Sequence, residues 1–111
     1  DREYAGMKAR SIIRSKPAGR RFIEAKLREK GIESSIIRET LDEELEDSDP
    51  KAEALNLARR MHRSLASNPD PEVRKRRLIG RLSRRGFDHD AVRRAVEIVE
   101  REHENEQTLE A

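Results

Sequence analysis

The run Leu27-Arg28-Glu29-Lys30-Gly31-Ile32 is rewritten 55 positions later as Leu82-Ser83-Arg84-Arg85-Gly86-Phe87. The match extends in both directions: Lys26 pairs with Arg81, Glu33 with Asp88, Ile37 with Val92, Arg38 with Arg93 and Leu41 with Val96. A period of half the chain constrains the fold strongly. Each copy is a supersecondary block that finishes burying its apolar face by packing on a neighbour. Such blocks stack into a long body, which suits binding along an extended partner better than enclosing a small substrate.

Only 33% of the 111 residues are hydrophobic and 43% are charged. That composition supports thin, two-layer helical packing rather than a deep core. Cysteine is absent, which excludes disulfides and thiolate metal sites and suits a reducing compartment. No apolar run approaches the roughly 18 residues of a membrane span, and no signal peptide is visible. A cytoplasmic chain with no membrane partner is therefore expected. The start at Asp1, without a methionine, points to a fragment whose N-terminal part is missing.

Net charge is +2, but it is unevenly spread. Residues 1–31 carry ten Lys/Arg against four Asp/Glu, and residues 32–53 carry two against nine. Residues 54–94 carry twelve against four, and residues 95–111 one against six. Charge thus repeats with the sequence, a basic stretch and then an acidic one, twice. Basic stretches this dense suit phosphate or an acidic protein surface. The plainer reading is that short, highly charged helices have solvated faces.

Glu, Lys, Arg, Ala, Leu and Ile dominate, and no segment alternates at period two, so every element is expected to be helical. Ser15-Lys16-Pro17-Ala18-Gly19 separates a first helix from a second, and Gly31 ends the second as a left-handed C-terminal residue. Asp49-Pro50 and Asp70-Pro71 are helix starts with Asp as cap and Pro in the first helical position. Gly86 mirrors Gly31, and Asp88 caps the last helix. The expected helices are about 2–14, 18–30, 34–46, 50–66, 71–85 and 89–104. Apolar residues at helical spacing form the expected core: Ile36, Ile37, Leu41 and Leu45 in the third helix, with Ala91, Val92, Val96 and Val99 in the sixth. Ile23 and Leu27, like Leu78 and Leu82, sit four apart in the second helix of each unit, and Phe22, Ile32 and Phe87 plug the junctions. The fold class is all-α: two tandem three-helix repeats, 1–46 and 47–104, in an elongated, curved, solenoid-like array. The acidic tail 105–111 has little to bury and is expected to fray, loosening from about Glu100.

No catalytic constellation can be assembled, so an enzyme is not expected, nor a metal or other cofactor. His62, His89 and His103 are widely separated, and the acids flanking His89 fit a helix N-terminus, where the dipole favours negative charge. What remains is the segment from Arg74 to Arg85, in which seven of twelve residues are basic. With Leu78 and Leu82 facing inward, Arg77, Arg81 and Arg84, with Arg74 above them, are expected to form a continuous outer stripe. Lys75 and Arg85 flank it, and the first unit offers a weaker version in Arg20, Arg21 and Lys26, with Arg28 and Lys30. The last helix has few groups suited to base edges, and three scattered aromatics make a poor stacking platform. The stripe fits backbone phosphates or protein carboxylates.

These residues resemble a known family. Lys75–Val92, with its core Arg84-Arg85-Gly86-Phe87, resembles the last repeat of RecX-type regulatory proteins. Gly19-Arg20-Arg21-Phe22-Ile23 through Lys30-Gly31-Ile32 resembles the middle repeat, and Asp1, Tyr4, Ala5 and Ser11 resemble its lead-in. The resemblance spans about residues 1–99. It departs at Lys26, where the family often has Glu, and at Glu33, where it often has Ser; both bear on contacts or capping, not on the core. The family is built of three tandem three-helix repeats, of which the first would be absent here. The resemblance implies a non-enzymatic, monomeric modulator of the RecA recombinase in recombination and DNA repair. It would lie in the groove of the RecA–DNA filament, suppress ATPase and strand exchange, and bind DNA weakly. The nine candidate contacts are then Arg20, Arg21, Lys26, Arg74, Lys75, Arg77, Arg81, Arg84 and Arg85. Two other readings stay open: a module that acts on DNA directly, and a fragment whose activity lies in the missing repeat.

Overall fold

A computed structural model describes residues 1–110, which form six α-helices and, among those residues, no strand. They are α1 (Arg2–Ser15), α2 (Arg20–Glu29), α3 (Ser34–Glu44), α4 (Pro50–His62), α5 (Pro71–Arg84) and α6 (His89–Glu110). The starts follow from their caps. Asp1 accepts from the Tyr4 amide at 3.0 Å, Asp49 from Ala52 at 3.2 Å, Asp70 from Glu72 at 3.0 Å and Asp88 from Ala91 at 2.9 Å. Each satisfies a donor that the first helical turn leaves unpaired. Gly31 and Gly86 end α2 and α5 in the left-handed region, at φ 80° and 87°.

Each helix packs on the other two of its own unit. The first unit closes over Ala5, Ala9, Ile23, Leu27, Ile37 and Leu41; the second closes over Ala54, Ala58, Leu78, Leu82, Val92 and Val96. Leu27 and Leu82 are both fully buried. The units therefore hold separate cores, and neither completes its core on its neighbour as the repeat alone suggests. The body measures 58 × 23 × 22 Å with a radius of gyration of 16.4 Å, against about 13 Å for a compact domain of this length.

The joint between the units is made of main chain. The N-terminus of α2 has no side-chain cap. Instead the Gly19 amide donates to the Arg85 carbonyl at 2.6 Å, and the Arg21 amide donates to the Gly86 carbonyl at 3.3 Å. The unpaired amides of one helix thus meet the unpaired carbonyls of another, positive end against negative end. The Arg85 guanidinium adds a bond to the Pro17 carbonyl. The approach needs two glycines: a Cβ on Gly19 would overlap the Gly86 carbonyl, and one on Gly86 would overlap the Phe22 amide.

Two expectations are corrected in the second unit. Arg74 is not on an outer stripe. It is 5% exposed, and its guanidinium donates to Glu100, with the closest bond 2.9 Å long. The reason is its spacing: four and eight residues before Leu78 and Leu82, it lies on the inward row of α5. Nor does the chain loosen at Glu100. That residue is 2% exposed and takes a second bond, 2.8 Å, from His62 Nε2. Anchored there, α6 continues to Glu110, through the segment expected to fray; Ala111 lies outside the described residues. Glu100 stands 55 positions after Leu45, and Arg74 55 after Gly19. The second unit thus sets a buried ion pair where the first has a leucine and the seam glycine.

Candidate partner-binding surface

The structure splits the nine candidate cations into three groups. Arg74 is internal. Arg20 and Arg85 are half-buried and engaged: Arg20 pairs with Glu24 at 3.1 Å and Asp42 at 2.8 Å, while Arg85 spans the seam to Pro17. The rest reach solvent to differing degrees. Lys75 lies near Glu72 at 3.8 Å, and Lys26 lies near Glu29 at 3.7 Å with its ammonium 5.4 Å from the centre of the Phe22 ring. Arg81 is half-buried and donates to Ser64 Oγ at 2.8 Å. Arg21, Arg77 and Arg84 are exposed, and among the described residues no ion pair engages them.

Much of the alternating charge is spent within each unit. Carboxylates of α3 pair back onto α1 and α2, through Arg2–Glu43, Arg10–Glu44 at 2.8 Å and Arg20–Asp42. In the second unit α6 does the same through Glu100 and through Glu102, which meets Arg59 at 2.8 Å. The hydrogen bond from Arg59 holds the Glu102 carboxyl below the usual carboxylate range. Apart from the buried Arg74–Glu100 pair, these exposed pairs contribute little stability each. They leave α5 as the helix whose outward cations are least neutralised.

Because α5 ends where α2 begins, Arg84 and Arg21 flank the same seam, and the row Arg77–Arg84 leads into the first turn of α2. Arg76 belongs with this row and was not among the candidates; it is exposed, two residues before inward Leu78, where a helix turns its side chains most directly outward. The end of α4 also joins it. The Arg81–Ser64 bond brings that end to α5, and Arg60 and Arg63 lie exposed on it. Their signal in the sequence was only the general basicity of residues 54–94. His89, between two acids, accepts a bond from Arg93 at 2.8 Å. No group of three His, Asp or Glu able to hold a metal occurs among the described residues. No described helix is long and apolar enough to cross a membrane.

Comparison with known proteins matches the two halves of this architecture separately. Residues 1–41 match the family model of the second three-helix domain of RecX, and residues 49–96 match that of the third. The chain belongs to the RecX family. It is similar to the regulatory protein RecX of Chlorobaculum tepidum, with 35% identity over 99 residues, 89% of this chain and 58% of that protein. It therefore spans somewhat over half the length of that relative. No solved structure matches. The two matches leave residues 42–48, the end of α3 and the turn into α4, between them, and each match falls within one of the units that hold separate cores.

Proposed function

We propose that this chain is the RecA-docking part of a RecX-type regulator. It lies along a RecA–DNA filament and lowers its ATPase and strand-exchange activity without catalysing a reaction itself. The observation that carries this reading is the row of unneutralised cations, Arg76, Arg77 and Arg84, on a body 58 Å long, with Arg21 across the seam. A row of fixed positive charge on a narrow, extended surface complements a polymeric acidic partner, and it steers association as well as holding it. Membership of the RecX family supports RecA as that partner.

Co-sedimentation of the chain with RecA filaments on single-stranded DNA tests the proposal, together with the filament's ATPase rate. The parent should pellet with filaments and slow ATP hydrolysis. Arg76→Glu/Arg77→Glu/Arg84→Glu should do neither at the same concentration, with its helical content unchanged, because exposed charges contribute little to the fold. A triple variant that inhibits as well as the parent would remove the basic row from the interface. A second reading, direct binding to DNA, is favoured by the same row, since guanidinium groups without base-reading neighbours suit phosphates.

A further inference from the structure

Where the two units meet, a groove opens that the basic row does not use. Ile13, Pro17, Ala18, Ile23, Leu45 and Glu53 line a cleft of about 360 Å³. A smaller cleft of about 230 Å³ shares Ala18, Leu45, Ser48 and Glu53 and carries the groove on to Gly19, Pro50 and Arg20, whose guanidinium is already held by Glu24 and Asp42. The floor is aliphatic, and Ile13 on it is 37% exposed. The rim carries Glu43, Glu44, Asp47 and Glu53. Arg2 and Arg10 neutralise the first two, whereas Asp47 and Glu53 meet no cation among the described residues. Desolvation at this wall pushes the Glu53 carboxyl above the usual carboxylate range, and the nearby Asp49 carboxylate adds to the rise.

An aliphatic trough with an anionic rim selects its occupant. Phosphate is repelled by uncompensated carboxylates. A side chain with a long apolar stem and a cationic tip fits both parts at once, and only Arg and Lys have that construction. We propose that the groove docks a short protein segment presenting an arginine or lysine beside a large aliphatic residue. The segment's cation then supplies the charge that Asp47 and Glu53 lack. The groove and the basic row share the seam, since Arg85 binds the Pro17 carbonyl and Pro17 lines the groove. The body therefore offers both signs of charge to a partner that crosses the seam, an arrangement suited to a protein surface and unsuited to a nucleic-acid backbone. The proposal does not depend on the basic row binding RecA.

The test uses the isotope-labelled chain and a capped Ala/Gln helical peptide with one Leu and one Arg a turn apart, followed by amide chemical shifts. Shifts should centre on Ile13, Ala18, Leu45 and Ser48. Affinity should fall about three- to tenfold when citrulline replaces the peptide's arginine, and equally in Asp47→Asn/Glu53→Gln, as expected for one partly exposed charge cluster. It should be unchanged in Arg77→Glu/Arg84→Glu. Equal binding of the citrulline peptide would overturn the proposal, as would shifts centred elsewhere. The same residues shifting with single-stranded DNA would assign the groove to nucleic acid, and their shifting with protein concentration alone would assign it to a second copy; either result also overturns it.

Discussion

Gly86 and Gly31 occupy the same position in the two units and nearly the same left-handed backbone, φ 87° and 80°. Their surroundings differ. A methyl group at Gly31 would point into open space, whereas at Gly86 it would overlap the amide and Cα of Phe22 across the seam. Gly31→Ala should therefore cost only the left-handed penalty of an L-residue, about 1–2 kcal/mol. Gly86→Ala bears that penalty and must also part the seam. It then loses the Gly19–Arg85 and Arg21–Gly86 main-chain bonds, each contributing about 0.5–1.5 kcal/mol. The expected total is roughly 2–5 kcal/mol, so the excess of Gly86→Ala over Gly31→Ala measures the seam alone. Urea denaturation followed by circular dichroism gives both values. Small-angle scattering should show the 16.4 Å radius kept in Gly31→Ala and a broader spread of dimensions in Gly86→Ala, whose units keep their own cores. Equal losses in the two variants, with unchanged scattering, would refute the main-chain joint.

Leu27→Ala and Leu82→Ala, both at fully buried sites, should each cost about 2–5 kcal/mol. Hydrogen exchange should place each loss mainly in the variant's own unit; equal loosening of both units would contradict separate cores. Glu100→Gln leaves Arg74 buried without its counter-charge, a loss of about 3–5 kcal/mol near neutral pH in thermal or urea unfolding. Burial pushes the Glu100 carboxyl up, but hydrogen bonds from Arg74 and His62 outweigh it and hold it below the usual range. Its contribution is thus complete above the unfolded value of about 4.3 and is lost as pH falls through the lower folded value, so parent and variant should converge in acid. A gap that stays constant with pH would contradict this. If Arg76, Arg77, Arg81 and Arg84 contact four phosphates, log K for duplex DNA should fall with log salt at a slope of roughly −3 to −4. Salt-insensitive binding would refute phosphate contact.

The helical core was legible in the sequence because its signal is local. Ile23 and Leu27, like Leu78 and Leu82, sit one turn apart, and all four are buried. Caps at Asp49, Asp70 and Asp88 were legible for the same reason. Residue type alone places Arg74 and Glu100 outside, against their spacing. Each lies on an apolar row, and each is tolerated inside only because the other is there, a pairing between α5 and α6 that no local pattern reveals. The seam left no trace either, since two stretches of main chain meet without side-chain complementarity, and a glycine in a loop has many reasons to be one. Within the candidate surface, the exposure of Arg77 and Arg84 followed from their distance around the helix from Leu78. The engagement of Arg20 with Asp42 and of Arg85 with Pro17 depends on tertiary neighbours and could not be read.

The exchange of Gly19 for Arg74 at equivalent positions gives the body a polarity. A second helix that begins with glycine is an open socket, and α2 is filled there by the carbonyl end of α5. In the second unit the equivalent helix begins a turn earlier, at Pro71, with Asp70 capping the Glu72 amide, and Arg74, clamped to Glu100, stands one turn inside it. The plug, in contrast, is present twice: Gly86 is inserted, and Gly31 has the same backbone with open space before it. The same device is thus open to a further unit at the Gly31 side. A string of units joined plug into socket is therefore vectorial, each unit facing the same way along its length.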